Sequence, residues 1–513
     1  MAGQATPRVF GTLDDRARDS LVRVLTGGEA ELSSRRPVAH HFFDTFDWRL
    51  YGRGLALVSE NRLFRLRDRR TGEILAEHAA NGEYVSPFAA DWEPGELRDR
   101  LRKAVKVRAL IHLVSMEGTA RGLDHTDPKT GGLWRLEFQE WQVVRGEREF
   151  DFPHVVAAHP VDGRPKGGKR LVKRIRAAGL RSLPPTLLEP ALLVARIRPG
   201  AYTGKVRVKI DPDRPAHETV TRLAEHLADT LTANLGGMRQ DVDTEFLHDA
   251  RVAMRRTRTL LSLFRAVIPK SVRKEFNDRF RDLGAITGPV RDLDVHLLRY
   301  AEYRTMVPRK HQAGLHELFA LVARNRAEAH AMLIARMDAG DFDAVLRDWR
   351  KALESSDTWE GEAREAGKPS GNLAVRIVRK AHHRVLELGR AVGDDPADKD
   401  LHRLRIAGKK FRYALEFHRS LADRSAYADL LSVMKNLQDL LGEHNDLAVQ
   451  GSDLATLGER SDDLGLTKAA LRAARVLSKR LTARRAELKT EFAVVFGEFD
   501  TKKTAGKVRR LFG

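Results

Sequence analysis

Two stretches of the chain carry histidine, arginine and lysine at the same relative positions, and these side chains can bind anions. The first stretch, 247–265, reads LHDARVAMRRTRTLLSLFR, and the second, 401–419, reads LHRLRIAGKKFRYALEFHR. Guanidinium groups bind oxyanions in a bidentate geometry, lysines act as point charges, and an imidazole ring donates a further hydrogen bond. The repeated basic residues therefore predict an anion-binding site.

The two stretches are copies in a single register. Identical residues recur 154 positions later, for example His248 as His402 and Arg251 as Arg405. Positive charge is kept even where the residue type changes, since Arg255 and Arg256 correspond to Lys409 and Lys410. A constant offset of this kind indicates two duplicated structural units.

The basic side chains of each stretch fall on one face of a helix, at about 100° per residue, and the apolar side chains fall on the other. In the first stretch Arg256 lies at the border of the basic face. No acidic residue occurs within 250–274 or within 401–415, whereas ordinary exposed faces mix the two signs because like charges destabilise a helix. The pattern favours an anion site over the alternative interpretation, a solvated structural face.

The composition of the whole chain also points to an anionic partner. Its 513 residues, enough for two to four domains, carry a formal net charge of +20. This charge is compatible with nucleic acid, anionic lipid, a phosphate polymer or a small phosphorylated compound. Aromatic residues make up only 7% of the chain and are not interleaved with the basic faces, which counts against stacking on single-stranded nucleic acid.

Several classes of site are excluded by residue types that the chain lacks. It has no cysteine, which excludes disulfides, thiolate metal sites and thiol catalysis. No apolar stretch approaches the length of a membrane span, and the N-terminus lacks the apolar core of a signal peptide. We therefore expect a cytoplasmic protein without a membrane span.

The pattern of the chain changes near residue 215. Short β-like segments and three helical patterns precede this point, which predicts an α+β domain over 1–215. The predicted strands are 41–43, 62–67, 74–77, 110–115, 134–144 and 205–210, and the predicted helices are 14–25, 96–105 and 168–178. Segments 62–67 and 74–77 are expected to form a hairpin around Thr71-Gly72.

The remainder, 216–505, is predicted to be an all-α domain. Two helical repeats at about 216–360 and 372–505, joined by a polar linker, would each hold about four helices and form two pseudo-symmetric four-helix bundles. Helix breaks are predicted at Gly236-Gly237, Pro269, Gly288-Pro289, Pro308, Gly340, 393–396 and Gly442. The chain would end in a basic tail at 506–513, and we expect the overlapping basic extension 501–510 to be frayed.

The helical half resembles the CHAD family, whose name refers to recurring histidines in an α-helical domain. The matching segments are LHDARVAMRRTR, GPVRDLDV, LHRLRIAGKKFRYALE and LGEHNDL. The resemblance implies a basic central groove that binds inorganic polyphosphate. The residues it places there, with Arg291 from GPVRDLDV added, are His248, Arg251, Arg255, Arg256, Arg258, Arg291, His402, Arg405, Lys409, Lys410 and Arg412.

The segment GPVRDLDV has a separate, structural interpretation. Gly288-Pro289 would end one helix and Asp292 would cap the next. Arg291 can serve as a direct ligand, although Asn445 takes its place in the second copy.

The N-terminal half resembles the CYTH family of triphosphate-processing proteins, through HFFDTFDWRL followed by LFRLRD. That resemblance implies a β tunnel in which basic residues hold a triphosphate and paired glutamates hold Mg²⁺ or Mn²⁺. The opening Glu-x-Glu-x-Lys motif is absent, so we expect a degenerate domain without catalysis. Arg65, Arg67 and Arg108 remain candidates for anion contact there, or for ion pairs at the surface.

Two further patterns are interpreted as structural. The segment 163–169, GRPKGGK, has the spacing of a phosphate-binding loop, but Arg170 follows it where Ser or Thr would hold Mg²⁺. We therefore interpret this segment as a basic surface loop. The 19 histidines include no His-Glu-x-x-His arrangement, so we predict no metal site and no cofactor.

Together with the resemblance to the CHAD family, the sequence predicts a non-enzymatic protein that binds inorganic polyphosphate through the helical domain and is recruited to polyphosphate stores or granules. The alternatives are a metal-dependent triphosphatase that uses the N-terminal tunnel, and non-specific binding of nucleic acid. The sequence predicts no particular protein partner.

Overall fold

A computed structural model describes residues 8–12, 14–27, 32–60, 62–79, 86–161, 166–393, 395–459 and 466–511, with only the backbone at 455–459. The chain divides into two compact units, Met1–Thr203 and Gly204–Gly513. The predicted domain boundary after residue 215 lies inside the second unit, just before its first long helix. The predicted fold class, a strand-rich α+β region followed by an all-α region, is confirmed.

The first unit is built on one antiparallel sheet. Its strands are β1 (Arg8–Thr12), β2 (Arg36–Asp44), β3 (Leu55–Glu60), β4 (Leu63–Asp68), β5 (Ile74–Ala79), β6 (Ile111–Thr126), β7 (Leu133–Arg145), β8 (Arg148–Asp151), β9 (His154–Pro160) and β10 (Arg181–Ser182). Within the described residues they pair in the order β10-β1-β9-β7-β6-β2-β3-β4-β5, and β8 pairs with β7.

Four helices belong to the same unit, namely α1 (Asp15–Thr26), α2 (Glu96–Val105), α3 (Gly168–Ala177) and α4 (Leu188–Val194). Leu21 of α1 and Ile175 of α3 are buried with Trp134 of β7 in one apolar cluster. Leu101 of α2 is buried in a second cluster with Leu66 of β4. The alternation of apolar residues along the strands thus supplies faces on which the helices pack.

The sequence predicted most of these elements, and one prediction is wrong. The three predicted helices and five of the six predicted strands are present, and β4 and β5 form the predicted hairpin, with Gly72 in the left-handed region at φ 75°. The segment 205–210 is extended but forms no strand. Val206 and Ile210 are buried, so apolar side chains do alternate with exposed ones as in a strand. The segment, however, packs on helices of the second unit instead of joining a sheet.

The second unit is helical throughout its described residues. Its helices are α5 (Ala216–Arg239), α6 (Thr244–Leu263), α7 (Lys270–Ile286), α8 (Gly288–Leu298), α9 (Tyr300–Met306), α10 (Gln312–Asp338), α11 (Asp341–Glu354), α12 (Trp359–Glu362), α13 (Ser370–Arg390), α14 (Asp398–Phe417), α15 (Arg424–Glu459), α16 (Lys468–Phe499) and α17 (Lys502–Arg510).

Sequence duplication appears here as a pseudo-twofold arrangement. The bounds of α6 and α14 differ by the offset of 154 at both ends, and so do the first residues of α5 and α13. The backbone nitrogen of Ala216 donates to the carbonyl of Lys368, and that of Ser370 donates to the carbonyl of Arg214. These two hydrogen bonds exchange under the offset, which places the pseudo-twofold axis between the starts of α5 and α13.

Two of the predicted helix breaks are wrong. Helix α5 runs through Gly236-Gly237, where Gly237 serves packing and does not end the helix. A Cβ on Gly237 would lie 2.2 Å from the ring of Phe246, so the glycine permits close packing of α5 on α6. Helix α15 runs through Gly442, whereas the equivalent Gly288 lies at the junction of α7 and α8. The residue that follows explains the difference, because Pro289 lacks a backbone N–H and Glu443 supplies one.

The expectation of a frayed C-terminal segment at 501–510 is also wrong. The segment forms α17, and the side chain of Thr501 caps it by accepting a hydrogen bond from the nitrogen of Thr504. Val508 is buried and the Nζ atom of Lys507 lies 2.9 Å from Asp429. The apolar valine among basic neighbours is what attaches this helix to the domain.

Candidate anion-binding site

Helices α6 and α14 place the repeated basic residues. The side chain of Asp243 caps α6 by accepting from the nitrogens of Glu245 and Phe246. Apolar side chains on one side of α6, among them Leu247 and Met254, are buried, and this burial fixes the rotation of the helix. The predicted division into an apolar and a basic face is therefore what turns the arginines away from the core.

The basic faces of the two helices line one cavity of about 750 Å³, here called the central cavity. Seven of its lining side chains are Arg or Lys and three are Asp. Eight of the eleven predicted binding residues are among them, namely His248, Arg251, Arg255, Arg258, Arg291, Arg405, Lys409 and Lys410. The structure thus brings residues from both repeats, 154 positions apart, around one space.

Several arginines of the central cavity are held in place by neutral partners. The Nη1 atom of Arg251 donates to the carbonyl of Gly284 and to the Oγ1 atom of Thr287, both at 2.7 Å. The Nε atom of Arg255 donates to the hydroxyl of Tyr413 at 3.0 Å. A neutral acceptor orients a guanidinium group without cancelling its charge, so these groups are positioned for an anion.

Burial, and after it the presence of neighbouring cations, lowers the pKa of groups in the central cavity. Burial, followed by the charges of Arg255 and Arg405, lowers the pKa of Lys409 to about 7. Burial is also the largest cause of the lowered pKa of Arg251, Arg291 and Arg405. The cavity therefore holds more positive charge than its own carboxylates balance, and a bound anion would relieve the imbalance.

The carboxylates of the cavity are few and stand beside individual cations. Asp446 lies 3.5 Å from the Nη2 atom of Arg405, and Asp453 lies 3.0 Å from the Nε2 atom of His296. The predicted capping role of Asp292 is wrong, because α8 begins at Gly288 and Asp292 lies inside the helix. Its charge instead opposes the lowering of the pKa of Arg251.

Comparison with known protein families agrees with this architecture. Residues 222–455 match the sequence profile of the CHAD domain family. This segment of the chain is a CHAD domain. A search of curated proteins found no match to the chain.

Three solved structures match parts of this chain. The CHAD domain from the plant Ricinus communis is 26% identical, with 58% of this chain and 96% of that chain covered and a TM-score of 0.49. PptA from Streptomyces chartreusis is 15% identical, with 55% and 99% covered and a TM-score of 0.43. A Bacillus halodurans protein whose name refers to adenylate cyclase is 14% identical, with 36% and 95% covered and a TM-score of 0.26.

Three predicted binding residues of the CHAD domain lie outside the central cavity. Arg256 is only 7% exposed and donates to Glu416 at 2.7 Å and to the carbonyl of Gly204. Arg412 donates to the other oxygen of Glu416 at 2.7 Å. His402 lines an adjoining cavity, where its Nδ1 atom lies 3.0 Å from the Oδ1 atom of Asn445. Glu416 thus pairs with two of the arginines that the family resemblance assigned to the ligand.

We expect that replacing Arg256 with alanine will lower the free energy of unfolding by about 2 kcal/mol, because it removes one partner of a buried ion pair. Glu416 keeps Arg412, which limits the loss. Denaturant unfolding monitored by circular dichroism measures the effect.

Lys410, the counterpart of Arg256 in the second repeat, provides the matched control. It is exposed and its Nζ atom donates to the Oγ atom of Ser262 at 3.3 Å. Replacing Lys410 with alanine is expected to leave the free energy of unfolding nearly unchanged. Equal losses in the two variants would contradict a structural role specific to Arg256.

The sequence did not indicate some lining residues of the CHAD domain cavity. Thr259, Asn277, Tyr413 and Gln450 contribute polar groups to it. Tyr413 is the counterpart of Thr259 under the offset, yet the two residue types share only a hydroxyl group. The offset also relates Gln450 to His296, so comparing the polar positions of the two repeats as well as the charged ones was the signal for three of the four residues.

In the first unit, the arginines predicted as anion contacts have carboxylate partners of their own. Arg65 and Arg67 donate to the buried Glu60 at 2.6 and 2.9 Å. Arg108 is fully buried, with its Nε atom 3.7 Å from Asp47. The three arginines thus lie beside carboxylates, as the alternative interpretation expected. These contacts involve the buried Glu60 and the buried Arg108 and do not lie at the surface.

The acidic residues of the predicted tunnel are paired in the same way. Glu137 accepts from Arg36 at 2.5 Å, and Glu140 accepts from Arg18 at 2.9 Å. Gln139 accepts from the indole nitrogen of Trp141 at 3.0 Å. In the part of the chain that the structure describes, no group of three or more His, Asp or Glu side chains has the arrangement of a metal site.

The phosphate-loop-like segment 163–169 is described in part, because 163–165 lie outside the described residues. Gly168 begins α3. Arg170, at the position where such a loop has Ser or Thr, makes two hydrogen bonds to Asp127, at 2.5 and 3.0 Å. The arginine therefore serves to hold α3 against the turn that contains Asp127.

Proposed function

We propose that the CHAD domain of this chain binds inorganic polyphosphate in the central cavity. The observation that carries the proposal is the charge of the lining, where seven Arg and Lys side chains face three Asp side chains. The lowered pKa of Lys409 supports it, because the charges of Arg255 and Arg405 add to the effect of burial there, and a bound polyanion would offset those charges.

The spacing of the cations favours a polymer over a single phosphate group. Arg251, Arg255 and Arg258 extend over about 10 Å of α6 at 1.5 Å per residue, and Arg405 and Lys409 face them from α14. A linear polyanion with one charge per unit can contact all of these groups together. A single phosphate could contact only a few of them.

Binding would be driven by electrostatics and by preorganisation. Arg251 and Arg255 are oriented by neutral acceptors, so little side-chain freedom is lost when an anion binds. Counterions released from the polymer add a favourable term that shrinks as salt increases, as described for nucleic acids. Affinity is therefore expected to fall steeply with ionic strength.

We propose that the protein binds polyphosphate without hydrolysing it. The support is that Glu60, Glu137 and Glu140 of the first unit already pair with arginines. A triphosphatase would need converging carboxylates to hold its metal ions. Release of inorganic phosphate from tripolyphosphate in the presence of Mg²⁺ or Mn²⁺ would overturn this part of the proposal.

Nucleic acid is the competing ligand, since any dense array of cations attracts it. Tyr413 is the only Phe, Trp or Tyr among the described residues that line the central cavity, which offers little surface for base stacking. Calorimetric titration with long-chain polyphosphate at two salt concentrations, with duplex DNA as competitor, tests the proposal.

Tight, salt-sensitive binding of polyphosphate that DNA displaces poorly at equal phosphate concentration is the expected result. Equal competition by DNA would refute polyphosphate specificity and favour non-specific nucleic-acid binding.

We also propose that this binding recruits the protein to polyphosphate stores. Each helix among the described residues is too short or too polar to span a lipid bilayer. Localisation of the tagged protein in cells with and without polyphosphate is the corresponding test, and a distribution that does not depend on the polymer would contradict recruitment.

A further inference from the structure

A second basic cavity of about 610 Å³, here called the side groove, opens beside the central cavity. The two spaces share Ser262, Ile406 and Lys410 as lining residues. Five of the described residues that line the side groove are basic and none is acidic, and the basic set is Arg265, Lys380, Arg384, Arg403 and Lys410. The positive lining of the central cavity therefore continues into the side groove.

The basic residues of the side groove are accessible. All five are exposed, and their carboxylate contacts are local, since Arg384 pairs with Glu387 at 2.7 Å and Arg403 lies 3.6 Å from Asp400. Exposed pairs of this kind are weak and exchange readily for a stronger anion.

The pseudo-twofold counterpart of the side groove has a different charge. Under the offset of 154, Asp249 takes the place of Arg403, His226 takes the place of Lys380 and Glu416 takes the place of Ser262. Two carboxylates thus stand where the side groove has a cation and a hydroxyl group. The duplication produced two equivalent positions, and only one of them is uniformly basic.

The counterpart is also covered by the chain itself, along the segment 204–210. The carbonyl of Gly204 accepts from Arg256, which is the counterpart of Lys410. The carbonyl of Lys205 lies 3.2 Å from the Nε2 atom of His226, which is the counterpart of Lys380. A Cβ on Gly204 would lie 3.5 Å from the Oδ1 atom of Asp249, the counterpart of Arg403. The segment therefore covers the position that is open in the side groove.

A third cavity adjoins the central cavity and offers the polymer less charge. It shares Asn445, Val449 and Asp453 with the central cavity. Its Arg485 is paired with Asp398, which also lies 3.0 Å from Lys489. An extended polyanion would meet carboxylates there and only cations in the side groove.

We propose that the side groove is a second polyphosphate-binding site, which holds the part of a long chain that extends beyond the central cavity. The proposal rests on polyphosphate binding in the central cavity. It predicts that a long chain leaves the central cavity only through the side groove, because neither the covered counterpart nor the third cavity continues the positive lining. Long chains contact both sites, whereas a short phosphate oligomer contacts only the central cavity.

The test is a triple variant, Lys380→Ala, Arg384→Ala and Arg403→Ala, titrated with long-chain polyphosphate and with tripolyphosphate. Loss of three exposed contacts is expected to weaken binding of the long chain roughly tenfold to a hundredfold and to change tripolyphosphate binding by less than about twofold. The slope of affinity against salt should also become shallower for the long chain. Circular dichroism checks the fold.

A matched control removes the same charge elsewhere in the unit. Arg309, Lys310 and Arg324 are exposed and line none of the three cavities, so their replacement with alanine is expected to change long-chain binding by less than about threefold through net charge alone. A second variant, Arg403→Asp, gives the open groove the residue type that its covered counterpart has. It is expected to weaken long-chain binding more than Arg403→Ala does.

The outcomes separate this inference from the function on which it depends. Unchanged long-chain affinity in the triple variant, or a loss equal to that of the control, would overturn the side groove while leaving the central cavity in place. Equal losses for the long chain and tripolyphosphate would also overturn it, because they would show no dependence on chain length. Failure of the unsubstituted protein to bind either phosphate would overturn the proposed function itself.

Discussion

Replacing Arg255, Arg405 and Lys409 with alanine is expected to weaken binding of long-chain polyphosphate by at least about 100-fold. The three side chains line the central cavity and lie close enough for Arg255 and Arg405 to lower the pKa of Lys409. Each replacement removes a charge-assisted contact with phosphate. Calorimetric titration measures the affinity.

The same variant is expected to be at least as stable as the unsubstituted protein. Removing cations that repel one another relieves an unfavourable interaction, and Arg255 and Arg405 do not anchor the core. Loss of binding together with an unchanged or higher melting temperature would exclude unfolding as the cause.

The surface variant with Arg309, Lys310 and Arg324 replaced by alanine is the matched control, because it removes the same number of charges. Equal losses in the two variants would show that net charge, and not the central cavity, governs affinity.

Polyphosphate binding at pH 8 is expected to be accompanied by uptake of about one proton per protein molecule. Lys409 has a pKa of about 7 in the free protein and is therefore mostly neutral at that pH. Phosphate oxygens beside the ammonium group favour its charged form and raise its pKa. Affinity should then be highest below pH 7 and fall by up to about tenfold per pH unit above it.

Titration in two buffers with different ionisation enthalpies measures this uptake directly. The control is Lys409→Arg, because arginine stays charged throughout the range and is expected to abolish both the uptake and most of the pH dependence. Undiminished uptake in this variant would assign the proton to another group.

The lowered pKa of Lys409 also has a consequence for the free protein. The unfolded chain, with an ordinary lysine pKa of 10.5, binds more protons than the folded protein between about pH 7 and pH 10.5. The contribution of Lys409 to the free energy of unfolding therefore increases as the pH rises through this window. Near neutral pH this residue is destabilising, which is consistent with a binding role and not with a structural one.

The register of the duplication predicted the essentials of the helical unit. The offset that relates Arg255 to Lys409 also relates the bounds of α6 and α14 and the hydrogen bonds at the starts of α5 and α13. Because one amphipathic helix recurs at a fixed offset, the sequence specifies both the elements and their symmetry. It could predict that two basic faces exist, and the structure adds that they line one cavity.

The errors arose where a distant partner decides the outcome. Arg255 and Arg256 are neighbours on one helix, yet Arg255 lines the central cavity and Arg256 pairs with Glu416, 160 positions away. The segment 205–210 alternates like a strand, but its buried side chains face helices. Neither result follows from local periodicity, because the same pattern suits either partner.

The arginines of the first unit also show that local sequence does not identify the partner of a charged side chain. Arg65 and Arg67 have the spacing of neighbours on one face of a strand, which suits an anion site as well as an ion pair. Glu60, on the adjacent strand, is the residue that pairs with both. Strand register, which the sequence did not supply, separates the two interpretations.

The most direct test is a crystal structure of the protein grown with polyphosphate. We expect a continuous row of phosphate groups in the central cavity, with oxygens within about 3 Å of the guanidinium groups of Arg251 and Arg255 and of the Nζ atom of Lys409. A polymer bound to another surface while these three side chains contact only solvent would contradict the assignment of the central cavity.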